Sequence, residues 1–170
     1  MFKKIREFFR VLGELRYLIP LMRYEFPSPD DNASLAHSFE ETVTKFGSNN
    51  FIYFENEKWT YNQTNEAANV LANKLIDDGV EHGDRVVLFM ENRPNFIISI
   101  LALNKIGAIG VLINTSLTGN PLIHCINSSD SKKCIVGAEL ASPLEEVLSE
   151  INIKDKSDIY WVCLLYTSDA

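Results

Sequence analysis

The sequence predicts an α/β fold: a layered, mostly parallel sheet with helices packed on it, preceded by an amphipathic helix. Three observations predict it. Short apolar runs rich in Val, Ile and Phe recur along the chain, each separated from the next by a stretch of helical periodicity, which is the order βαβ units require. Those runs are nearly continuously apolar rather than alternating, as strands covered on both faces are. A chain of 170 residues, 46% apolar and 23% charged, can bury a core without metal or disulfide staples.

The chain opens on a basic stretch. Residues 1–25 hold six Lys and Arg against three Glu, a net of +3 that leaves −10 for the remainder. At 100° per residue, Phe2, Ile5, Phe8, Phe9, Val11, Leu12, Leu15 and Ile19 gather on one half of a helix over 2–19, with Lys3, Arg6, Glu7, Arg10 and Glu14 on the other. Lys4 and Arg16 cross the division, as long basic stems can by snorkelling, and Pro20 ends or kinks the helix. Such a stripe either packs on the rest of the protein or lies peripherally in an anionic membrane interface. The run PSPDDN from Pro27 to Asn32 reads as a linker. It divides a basic N-terminal helix (1–26) from an α/β portion (27–162).

A helix near Ser34–Phe46 follows, stopped by Gly47. Phe51–Phe54 and Lys58–Tyr61 are strand-like around a polar Glu55–Glu57 turn, a hairpin pattern. Thr60 and Gln63 have capping-box spacing, Ala68, Leu71, Ala72 and Leu75 form the apolar stripe of the next helix, and Gly79 closes it. Gly83-Asp84 turns into a strand Arg85–Met90, and Pro94 opens a helix at its first position.

From Asn95 to Leu117 the chain runs 23 residues with Lys105 as the only charge, long enough to raise a membrane span. A central Lys costs roughly 2.5–3.5 kcal/mol to insert, and Asn104, Gly107, Gly110 and Asn114 weaken the gain further. The stretch therefore divides into a helix through Lys105, a stop at Gly107 and a buried strand Ile109–Ile113. A short helix near Pro121–Asn127, a strand Lys133–Val136 and a helix Ala141–Glu150 continue the alternation. Ile159–Tyr166 is apolar enough for a last strand, although CLLYTSDA, residues 163–170, reads as a non-native tail.

Charge and motifs narrow the function. A net charge of −7 and a pI near 5.0 have the wrong sign for a nucleic-acid partner. Cys125, Cys134 and Cys163 have no CxxC spacing and no cleavable leader precedes them, which implies a reduced, cytoplasmic setting. His124 and Cys125 are chain neighbours that point apart, so with Cys134 they do not form a zinc pattern. No GxGxxG after a strand, phosphate-binding GxxxxGK[ST] loop, GxSxG elbow or HExxH pair occurs. Gly107-Ala108-Ile109-Gly110 lies after a helix and before a strand, the reverse of what a phosphate cradle needs, and reads as a helix stop with close packing. Arg93 reads as a loop ion, Asp84 as a turn cap, and Asp77-Asp78 and Glu145-Glu146 as solvated pairs.

Together, several segments resemble a known family. Trp59-Thr60-Tyr61, Asn65-Glu66-Ala67-Ala68-Asn69 with Leu71-Ala72, and Gly79-Val80-Glu81-His82-Gly83-Asp84-Arg85-Val86 are similar to the opening of the adenylate-forming acyl-CoA synthetases, or AMP-dependent synthetases and ligases. Phe89-Met90-Glu91-Asn92-Arg93-Pro94, Leu103 to Ala108, and Ile113-Asn114-Thr115 match it in order and spacing. FMENRPNF and INTSLTGNPLIHCI most resemble the very-long-chain acyl-CoA synthetase and fatty acid transport protein branch.

The resemblance covers about residues 33–140 and implies part of the N-terminal domain of a fatty acid CoA ligase. Such an enzyme uses ATP, Mg²⁺ and coenzyme A and passes through an acyl-adenylate. The family's phosphate loop, adenine- and ribose-contacting segments and catalytic Lys lie beyond the matched region. No catalytic, cofactor-binding or metal residue is therefore assigned, and the segment alone is expected to be inactive. A ligase for another carboxylic acid, or a non-catalytic peripheral membrane protein of fatty-acid uptake, remains the alternative.

Overall fold

The computed structural model describes residues 34–153 and 155–163. The predicted helix over 2–19, the 27–32 linker and residues 164–170 of the predicted tail lie outside the described residues.

Helix α1 is Leu35–Phe46, capped by Ser34, whose hydroxyl accepts the His37 amide at 3.1 Å and so satisfies a first-turn donor. The hairpin pairs β1, Asn50–Phe54, with β2, Glu57–Thr60. Its two-residue turn holds Glu55 in the left-handed region at φ 51°. Tyr61, expected to end the second strand, instead opens α2, Tyr61–Asp77, because Thr60 commits to capping. The reciprocal bonds of the capping box are both made: Thr60 Oγ1 accepts the Gln63 amide at 3.2 Å and Gln63 Oε1 accepts the Thr60 amide at 2.8 Å. Ala68, Ala72 and Leu75 of the predicted stripe are buried, and Leu71 is half-buried.

The remaining elements are β3 (Arg85–Phe89), α3 (Pro94–Lys105), β4 (Ile109–Leu112), α4 (Gly119–Ser128), β5 (Lys133–Gly137), α5 (Ala141–Glu145) and β6 (Ile159–Val162). Their four strands form one parallel sheet in the order β4-β3-β5-β6, with Val87 opposite both Val111 and Cys134. Alternate side chains of β3 feed two layers. Val86, Leu88 and Met90 pack with Leu75 of α2 and Leu103 of α3. Val87 and Phe89 pack with Leu122 and Ile126 of α4 and Leu144 of α5. An outer layer sets α1 and the hairpin on α2 and α3 through Phe39, Ala68 and Leu101, where the rings of Phe39, Phe51 and Tyr61 lie 4.6 to 5.7 Å apart and tilted, a favourable arrangement of ring quadrupoles.

The 23-residue apolar stretch divides as expected. Gly107, at φ 70°, turns the chain between α3 and β4. A Cβ there would lie 2.3 Å from His82 Cδ2, so the position demands glycine for both backbone and space. β4, however, is not buried. It sits at the edge of the sheet, with Ile109 48% and Leu112 56% exposed.

The last predicted helix is shorter than its periodicity suggests. α5 stops at Glu145 and residues 146–150 continue as turns. Ile151 and Ile153 are both buried, and positions two apart cannot share one helix face, so the chain must leave the helix to deliver them.

Asp84, read as a turn cap, and Asp78, read as solvated, are both engaged. Asp84 caps its turn by accepting the Glu81 amide at 2.9 Å and also pairs with Lys132 at 2.7 Å. Asp78 is not simply solvated: it accepts from Lys74 at 2.8 Å and from the Tyr160 hydroxyl of β6 at 2.6 Å. The Lys132 ammonium, then the Glu81 amide, hold the Asp84 carboxyl below the usual range, and Lys74, then Tyr160, do the same for Asp78. A carboxylate whose folded pKa is depressed stabilises the fold fully above its unfolded value near 4, and that contribution is lost as pH falls through the folded value. Melting temperature is therefore expected to stay level from pH 7 to about 5 and to fall below about 4. Asp84→Asn keeps an acceptor for the Glu81 amide, so its acid-side fall should be shallower; an unchanged slope in a pH series of thermal melts would reject Asp84 as a contributor.

Candidate functional site

In a parallel sheet covered on both faces, ligands bind outside the carboxyl ends of the strands, at the point where connections leave to opposite sides. Here that point lies between β3 and β5. The chain leaving β3 enters α3 in the layer with Leu103, while the chain leaving β5 enters α5 in the layer with Leu144. The loops meeting there are Met90–Arg93 after β3, Ala138–Leu140 after β5, and Cys163 after β6.

One residue spans this mouth. Arg93 precedes Pro94, which forces it out of helical geometry; it is extended at φ −154° and its side chain turns away from α3's start without capping it. The side chain is only 4% exposed, and its guanidinium lies 2.8 Å from Glu139, Nη1 to Oε2. Its Nη2 donates to the carbonyl of Val162, the last residue of β6, at 2.8 Å. The N–H directions of Nη1 miss the Glu139 oxygen, so among the described residues Nη1 and Nε are buried donors without an acceptor. Glu139 is held from its other oxygen, where Oε1 accepts the Glu91 amide at 2.9 Å. The fold leaves room for that carboxylate with Gly137, where a Cβ would lie 2.1 Å from Glu139 Oε1.

Sequence reading placed Arg93 at the surface as a loop ion and did not single out Glu139. The structure buries the one and joins it to the other. A usable signal exists, since an Arg between a strand that ends in four apolar residues, Val86 to Phe89, and a helix-opening Pro sits where the carboxyl edge must be. Nothing local pairs it with a Glu two residues after Gly137. The other singled-out residues are not brought together: His124 and Cys125 lie on α4, Cys134 is buried in β5 with its thiol pushed well up by burial, and Glu145-Glu146 is exposed. No three His, Cys, Asp or Glu side chains come together as metal ligands among the described residues.

A depression of about 430 Å³ opens at the other end of the sheet, lined by Glu40 of α1, Asn69 and Asn73 of α2, and Asn104 and Lys105 of α3. Three of its polar groups, on Glu40, Asn104 and Lys105, hold α1 on α3. Lys105 pairs with Glu40, and Asn104 Oδ1 accepts the Ala36 amide at 2.9 Å. Among the described residues, no helix is long and apolar enough to cross a membrane.

Comparison with known proteins follows the same lines. The profile of the AMP-binding enzyme family matches residues 39–168. Long-chain fatty acid transport protein 6 of Mus musculus is 27% identical over 146 residues, which cover 85% of this chain and 23% of that protein. Medium/long-chain-fatty-acid–CoA ligase FadD6 of Mycobacterium tuberculosis is 31% identical over 118 residues, covering 69% of this chain and 20% of that one. The chain thus spans less than a quarter of the length of these relatives. Among solved structures, the anthranilate CoA ligase AuaEII in complex with anthranoyl-AMP superposes with a TM-score of 0.71 at 21% identity, over 76% of this chain and 25% of that one, a likeness of fold.

Proposed function

The chain belongs to the AMP-binding enzyme family, and from that membership we propose that it is an N-terminal scaffold portion of a ligase that joins a fatty acid to coenzyme A through an acyl-adenylate. The family match over residues 39–168 carries the reading. The fatty acid as substrate is supported by the names of the transport protein and the CoA ligase that the sequence resembles.

The chemistry divides accordingly. Adenylation needs backbone donors and cations gathered around the phosphates of ATP, with Mg²⁺ neutralising their charge when bound. The described residues do not fit that group. The guanidinium at the carboxyl edge is already neutralised by Glu139, on a side chain only 4% exposed, and no glycine-rich strand-to-helix turn occurs among the described residues. No step is therefore assigned to these residues. Their part is to build the sheet edge and the two helical layers that hold the site's backbone still.

The test is the full-length gene product, assayed for pyrophosphate release that depends on added fatty acid and for acyl-CoA formed when coenzyme A follows. Turnover with fatty acids is expected; turnover confined to short or aromatic acids would overturn the substrate assignment. The same reading places the protein in the cytoplasm, peripheral on the inner face of the membrane, with residues 2–19 as the contact. A peptide of that stretch should gain helicity with anionic vesicles and lose it with added salt; no gain at low ionic strength would assign the stripe to protein packing.

A further inference from the structure

We propose that Arg93 is a positioning residue for the adenylation step, clasping the three loops at the carboxyl edge so that they present fixed backbone to the ligand; the inference rests on the ligase reading above. Three observations carry it. The guanidinium reaches elements that are distant in sequence, through Glu139 after β5 and the Val162 carbonyl at the end of β6, while its own backbone leads from β3 into α3. It lies at the switch point, where a doubly wound sheet holds ligands. And it is an expensive way to join loops.

The expense separates the possible roles. Its side chain is 4% exposed, and two of its nitrogens have no acceptor among the described residues. Apolar side chains of similar volume would hold the same three loops at no such cost, and replacing a buried ion pair with them is often neutral or stabilising. A role in stability alone gives no reason for a charged pair here. Direct capture of an anionic ligand is also disfavoured, since Glu139 cancels the charge and repels a second anion. What the fork does supply is direction. The directional Nη2–H bond to the Val162 carbonyl orients the planar guanidinium, the ion pair at 2.8 Å holds Glu139 against its Nη1, and Glu139 in turn accepts the Glu91 amide at 2.9 Å. Packed apolar groups would set the distance and leave the angle loose.

The experiment uses the full-length gene product and the double variant Arg93→Met with Glu139→Met, beside Arg93→Lys. Thermal melts report stability, and acid-dependent pyrophosphate release reports kcat and KM. The double variant is expected to melt at or above wild type while kcat falls by up to about 10²-fold, the scale of a misplacement near 1 Å, with KM little changed. Arg93→Lys keeps the charge opposite Glu139 but cannot fork to the Val162 carbonyl, so its kcat should fall between the two. A double variant with wild-type kcat overturns the proposal, as does one that melts well below wild type with activity lost in proportion. A wild type that accepts another acid but no fatty acid overturns the substrate reading alone, and the clasp is then measured with that acid. A wild type that accepts no acid overturns both.

Discussion

Residues 1–162 expressed alone will release no pyrophosphate in response to fatty acid, and they will self-associate. The first expectation follows from what adenylation requires. Most of such an acceleration comes from donors and cations preorganised around the reacting phosphate, and the described residues of this stretch place neither a phosphate loop nor a free cation at the carboxyl edge. The second follows from the sheet. Among the described residues β4 pairs only with β3, and β6 only with β5, so both outer strands present unpaired N–H and C=O groups. Ile109 and Leu112 on β4 and Trp161 on β6 add apolar surface, at 48%, 56% and 41% exposure. Open, flat and apolar edges are templates for pairing with another copy. Sedimentation velocity should show a concentration-dependent rise in size, and Leu112→Lys should reduce it by placing a charge on the edge. Turnover that survives removal of contaminating ligases would overturn the first expectation. A monomer at all concentrations would overturn the second.

Phe89→Ala is expected to bring the fold close to its limit. Phe89 is completely buried at the end of β3, in the layer with Leu122, Ile126 and Val136. Truncating a buried Phe removes its transfer energy and leaves a cavity, a loss of about 3–5 kcal/mol. A domain's whole stability is about 5–15 kcal/mol, so the variant should unfold at a much lower denaturant concentration, with m unchanged if only stability is affected. Phe89→Leu keeps most of the volume and should cost about half as much or less. If the two variants share one midpoint, the site collapses around the cavity, and the packing assigned to Phe89 is wrong.

Local chemistry made much of this protein legible in its sequence. The capping box at Thr60 and Gln63, the stop at Gly107, Pro94 at a helix start and the apolar runs of β3 and β5 each act within a few residues, so spacing alone predicts them. The order of strands and helices likewise implied parallel pairing, and the sheet is parallel throughout. Because family resemblance is also carried by short ordered segments, membership in the AMP-binding enzymes was readable there as well.

Three features waited on the tertiary structure, and for one physical reason: each depends on which residues meet across the fold. The run Ile109–Leu112 is as apolar as a central strand, yet only the order β4-β3-β5-β6 makes it an edge. α5 ends at Glu145 because Ile151 and Ile153 both have a core to enter, which helical periodicity cannot anticipate. Arg93 has the sequence of a loop residue, and its burial is decided by Glu139 and the Val162 carbonyl, brought to it by β5 and β6. Spacing along a chain sets what each element is; where a charge is buried, and what it is bound to, is set by the neighbours that only packing supplies.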